Sequence, residues 1–82
     1  MAIEKQRLWL TFGEETVSKP IISDMTRKFD VSFNIRNASV KANIGIIAME
    51  IEGERRVIGE TIRWLESNGV LVEPVEINII EG

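Results

Sequence analysis

Gly45–Gly53 reads GIIAMEIEG, and the fold turns on how this stretch is taken. In a strand, successive side chains point to opposite faces, so a half-buried strand alternates apolar and polar residues. One parity here, Ile47, Met49 and Ile51, is apolar throughout. The other begins with Ile44, Ile46 and Ala48 and turns acidic only at Glu50 and Glu52. The strand therefore has one face for a core and a second face that is apolar over half its length.

Working outward, Lys5 to Phe12 alternates in the same way, with Leu8, Leu10 and Phe12 against Arg7, Trp9 and Thr11. In GEETVSKP, Ser18 reads as a capping hydroxyl and Pro20 as a first-turn proline. Ile21, Ile22, Met25 and Phe29 recur at helical spacing, so a helix is predicted to end near Phe29. Val31, Phe33 and Ile35 alternate with Ser32, Asn34 and Arg36 as a second strand, and the polar or small residues Asn37 to Asn43 read as a connection. After Gly53, Val57 or Ile58 with Ile62 and Leu65 mark a second helix, stopped by Asn68-Gly69. Gly59 in its middle predicts a close helix–sheet approach. Val70 to Ile80 is the last strand; its apolar parity shifts at Glu73-Pro74, which predicts a bulge there.

The order is β-α-β-β-α-β, an α+β, ferredoxin-like arrangement of a four-stranded antiparallel sheet with both helices on one face. Right-handed crossovers put the first and third strands in the centre. Trp9, Ile44, Ile46 and Ala48 then form an apolar patch on the bare face, and such patches on small domains mark contacts. A second copy or another domain is the expected cover, with a flanking tail such as Met1 to Ile3 as the alternative. The last strand, about 36 Å long at ~3.3 Å per residue, stays apolar past Pro74 through Val75, Ile77 and Ile79. Those residues are expected to extend or cross to the second copy of a two-fold homodimer, since an exposed apolar edge is an aggregation hazard.

Composition narrows the function classes. The chain has 82 residues, enough for one domain, and 44% are hydrophobic. It contains neither cysteine nor histidine, which removes disulfides, thiolate or imidazole metal sites and the usual general base, so no metal or cofactor is expected. A net charge of −3 argues against nucleic-acid or anionic-membrane binding. No signal-peptide-like or membrane-spanning run is present in the sequence, and the expected location is the cytoplasm. Glu14-Glu15 and the Glu50, Glu52, Glu54 series read as solvated charges, Arg55-Arg56 likewise, and Ser18 and Ser23 have no histidine to activate them. No glycine-rich turn opens either helix to cradle phosphate. RNA-binding members of this architecture need aromatics on both central strands; only Trp9 is offered. The chain reads as a non-enzyme.

RLWLTF, SKPII, RKFDVSFNI, GIIAMEIEG and WLESNGVLVEPVE, in that order, resemble the NIL domain over Arg7 to Glu76. The resemblance implies a module like the C-terminal domain of methionine-importer ATPases, where paired copies bind methionine at their interface and inhibit transport. It is similar also to a branch in which the domain precedes an iron–sulfur ferredoxin segment in proteins of homocysteine and sulfur metabolism. With neither an ATPase part nor cysteines, this chain resembles a standalone NIL protein. Two departures bear on ligand binding: the short connection Asn37 to Asn43, and Asp30, where importer members often carry asparagine. An aspartate can accept from an ammonium group but cannot donate to a carboxylate. The candidate ligand site is Asp30, Asn34, Arg36, Ile46 and Ile47, with Arg36 as the carboxylate partner or, alternatively, a solvated strand residue. Two functions stay open. One is a sensor of methionine, homocysteine or a related sulfur amino acid that reports through its assembly; the other is an adaptor that docks on an enzyme or iron–sulfur protein partner.

Overall fold

The alternation of the two central strands organises everything else. The computed structural model describes residues 3–75. In it β1 (Ile3–Phe12), α1 (Ile21–Lys28), β2 (Ser32–Lys41), β3 (Ile44–Glu54), α2 (Arg55–Ser67) and β4 (Val70–Pro74) follow in order. The strands form one antiparallel sheet in the order β2-β3-β1-β4. This is the α+β, ferredoxin-like arrangement, with β1 and β3 central. Leu8, Leu10, Met49 and Ile51 lie on one parity of those strands and are buried under the helices with Met25, Ile58 and Leu65. Phe29 meets the edge of Trp64 at 5.9 Å and so ties the end of α1 to α2.

Four expectations are corrected. Asn37 to Asn43 is not a connection: β2 runs on to Lys41, and only Ala42 and Asn43, with φ of 49° and 66°, make the turn. Two successive positive φ values give the hairpin twist that matches its flanking strands. The strand was hidden because the register slips by one residue at Arg36, from Ile35↔Met49 to Asn37↔Ala48. That bulge moves the helix-facing parity from Phe33 and Ile35 to Ala38 and Val40, so simple alternation fails.

Ser18 does not cap α1. Pro20 occupies the N-cap position with no side-chain bond, and the preceding turn is held by Lys19 N–H to the Thr16 carbonyl at 3.0 Å. Gly59 makes no close approach to the sheet, since a Cβ there would meet only the Arg63 guanidinium, at 3.6 Å. The buried line of α2 is Ile58, Thr61 and Leu65, with the Thr61 hydroxyl donating to the Val57 carbonyl at 2.7 Å.

β4 has no bulge at Glu73-Pro74. Leu71, Glu73 and Pro74 pair in unbroken register with Thr11, Trp9 and Leu8, and Val75 N–H donates to the Arg7 carbonyl at 2.9 Å. Odd positions of β4 therefore bond to β1, and Pro74 falls on a position whose nitrogen faces outward, where a missing N–H breaks no bond. Through Val75 the pairing with β1 continues without a break. The predicted extension to Ile80, with Ile77 and Ile79, lies outside the described residues.

Candidate functional site

Odd residues of β1 and even residues of β3 face away from the helices, and their register builds the bare face row by row. Trp9 stands opposite Ala48 and Thr11 opposite Ile46; on the other side of β1, Leu71 also stands opposite Thr11. Trp9 is 40% exposed, Ile46 42% and Leu71 56%, and Ile44 continues the row toward the hairpin tip. One half of the face thus carries an apolar cluster spread over three strands, with Thr11 inside it and Glu73, opposite Trp9, and Lys41, opposite Ile44, at its borders. In the other half Arg7 stands opposite Glu50 and Lys5 opposite Glu52, and the Arg7 Nε lies 3.4 Å from the Glu50 carboxylate. The Arg7–Glu50 row is the seam between the halves.

Leu71 was missed in the sequence. The signal was available: with Val70 and Val72 on the core parity, alternation leaves Leu71 on the opposite face, but the run VLV reads as one apolar block.

The five residues expected to make a ligand site do not line one cavity. Asn34 stands on the bare face opposite Glu50, at the seam, and Ile46 lies in the apolar half. Arg36 is exposed at the bulge of β2, where the pairing passes from Met49 to Ala48. Asp30 lies at the far end of the sheet, beside Gly53, in a hollow of about 400 Å3 shared with Ser32, Glu52 and Glu54. Ile47 points to the helix side and lines a separate cleft of about 210 Å3 between α1 and the β2–β3 hairpin. Ile47 and Gly53 are six positions apart on β3, roughly 20 Å. Among the described residues no group of three or more carboxylates is placed to hold a metal ion.

Of the other charges, Arg55 spans both oxygens of Glu4, at 2.9 and 3.3 Å. The hydrogen bonds and charge of Glu4 raise its pKa further. Arg56 pairs with Glu60 one turn on, at 3.6 Å. Both arginines are exposed, and such pairs are worth little. Among the described residues no helix is long and apolar enough to cross a membrane.

The family model of the NIL domain matches residues 6–74. Over 70 residues the chain is 30% identical to the methionine import ATP-binding protein MetN of Photorhabdus laumondii, covering 80% of this chain and 20% of that protein. It is 30% identical over 78 residues to methionine import ATP-binding protein MetN 1 of Burkholderia ambifaria, covering 90% and 22%. The chain thus spans about a fifth of the length of these relatives. Among solved structures, the C-terminal domain of an ABC transporter/ATP-binding protein from Enterococcus faecalis superposes with a TM-score of 0.77. It is 23% identical and covers 85% of this chain and 82% of that one, a likeness of fold.

Proposed function

The chain belongs to the NIL domain family, and from that premise we propose that it is a cytoplasmic regulatory module without catalytic activity. Two copies pair through the apolar half of the bare face, with Trp9, Ile44, Ile46 and Ala48 at the contact and Val75, Ile77 and Ile79 adding to it. Methionine or a related sulfur amino acid binds at the seam of that face. The observation that carries this reading is the division of the face at the Arg7–Glu50 row. A sulfur amino acid has a charged end and an apolar tail, and the seam offers one surface to each. Asn34 stands in the seam opposite Glu50, the Arg36 fork at the adjoining bulge receives the carboxylate, and Ala48, Ile46 and Trp9 take the thioether. Asp30 and Ile47 lie outside this seam. The relatives named for methionine import make methionine the first ligand to test.

Thermal melts of the chain with L-methionine, L-homocysteine and L-cysteine, beside light scattering of the apo protein, test the proposal. A ligand at ~100 times its dissociation constant adds ~2.7 kcal/mol, a shift of many degrees in a domain of this size. Arg36→Ala is expected to abolish the shift while leaving the apo melting temperature nearly unchanged. A wild-type melt unmoved by all three amino acids, with a monomer in scattering, supports the adaptor reading instead, in which the apolar half docks on a different protein.

A further inference from the structure

On the helix side, α1 is too short to cover the end of the β2–β3 hairpin, and the gap is the cleft of about 210 Å3 that Ile47 lines. Ile21 and Ile22 of α1 form one wall, Ala38 and Val40 of β2 the other, and Phe12 and Ile47 the floor. Val40 sits on the helix-facing parity yet is 69% exposed, so this wall is apolar surface that the fold leaves wet. The cleft stays open because β3 carries a glycine at its end. A Cβ on Gly45 would stand 3.1 Å from Val17 Cγ2 and 3.8 Å from Val40 Cγ2.

The polar side chains of the lining are Lys19, Ser23 and Ser39, and no carboxylate is among them. The backbone of Lys19 is pinned at the rim, its N–H donating to Thr16 and its carbonyl accepting from Ile21 at 2.8 Å. Asp24, the acid of the first turn of α1, does not line the cleft and lies 4.0 Å from Arg27. The charge at this mouth is therefore positive and the interior apolar. The volume falls below the roughly 300–1,000 Å3 of drug-sized sites, which limits an occupant to a few carbons.

We propose that this cleft binds a short-chain monocarboxylate. The hydrocarbon tail lies against Ile21, Val40 and Ile47, and the carboxylate sits at the mouth beside Lys19, with the Ser23 and Ser39 hydroxyls as further donors. The site is separate from the seam, because the sheet lies between them. It also selects a different chemistry. An α-amino acid brings an ammonium group that finds no acidic partner here and meets the charge of Lys19 instead.

Titration of the full chain with hexanoate, followed in amide and methyl NMR spectra, tests the assignment, with hexan-1-ol and L-norleucine as controls that keep the tail. The expected result is a saturable shift of Ile21, Ile22, Ala38, Val40 and Ile47, with both controls binding more weakly. Lys19→Gln is expected to weaken hexanoate roughly two- to fivefold and leave hexan-1-ol unchanged, the scale of an exposed ion pair. Gly45→Val, checked for a dispersed spectrum, should close the cleft to hexanoate and hexan-1-ol alike. Equal binding of hexanoate and hexan-1-ol overturns the proposal. So does norleucine shifting Ile21, Val40 and Ile47 as strongly as hexanoate does, an unchanged affinity in Lys19→Gln, or hexanoate shifts that centre on Trp9 and Ile46. None of these outcomes bears on sulfur amino acids at the seam.

Discussion

The two faces of β1 differ more than their shared backbone suggests. On one, Leu8, Leu10 and Phe12 are buried along with Met49 and Ile51 from β3. On the other, one residue along, Arg7 is held near Glu50 while Trp9 and Ile46 remain open to solvent. The helix side is apolar along the strand from Leu8 to Phe12, because two amphipathic helices lie over it. The bare side is apolar only toward the hairpin tip, and along β3 its charges begin where Glu50 replaces the pattern of Ala48, Ile46 and Ile44, while Glu73 of β4 and Lys41 of β2 flank the patch. A core needs continuity and a contact surface needs limits. The same strand supplies both through the parity of its residues.

The strongest test of that contrast is Leu10→Ala. Leu10 is fully buried, and the truncation is expected to cost ~2–5 kcal/mol in urea unfolding, a large share of what a small domain has. A loss comparable to that of an exposed residue would erase the distinction between the faces. Next in size is Trp9→Glu, one position away. It should leave the melting temperature almost unchanged and weaken self-association by ~2 kcal/mol, about thirtyfold, in sedimentation equilibrium. Unchanged association in this variant would mean that the patch is not where copies meet.

Deleting residues 75–82 sharpens the comparison at the edge of the bare side. The chain should stay folded, with slow amide exchange kept in β1 and β3, and associate about fivefold more weakly, the worth of roughly one net hydrogen bond. A truncated chain of unchanged affinity would assign the whole contact to the sheet face. The smallest effect belongs to Arg7→Ala. Its partner distance of 3.4 Å and partial exposure predict a loss of no more than ~0.5 kcal/mol by urea titration, so the charged half limits the patch without holding the fold together.

Period-two alternation made β1, β3 and the division of the faces legible in the sequence, because neither central strand is interrupted. It failed in β2, where a single inserted residue at Arg36 exchanges the parities and made half a strand look like a loop. The helix start was misread because a serine before a proline looks like a cap, while the chain spends Lys19 and Pro20 on a turn first. The candidate ligand residues followed the family resemblance and side-chain chemistry, and alternation itself separates two of them: Ile46 and Ile47 are neighbours in the chain and lie on opposite sides of the sheet. The cleft was not legible, since it depends on how far an eight-residue helix reaches over a hairpin.

Pro74 has a consequence for how copies can grow into larger bodies. The outward positions of β4 are Val70, Val72 and Pro74, and the proline offers no donor there. A strand arriving side by side would find this rail interrupted at one of its three rungs, so lengthening the sheet copy by copy, the geometry of a fibre, is discouraged along β4. Stacking face on face keeps its full surface. A stack of two uses up the bare face of each copy and presents the helices outward, so it ends at two.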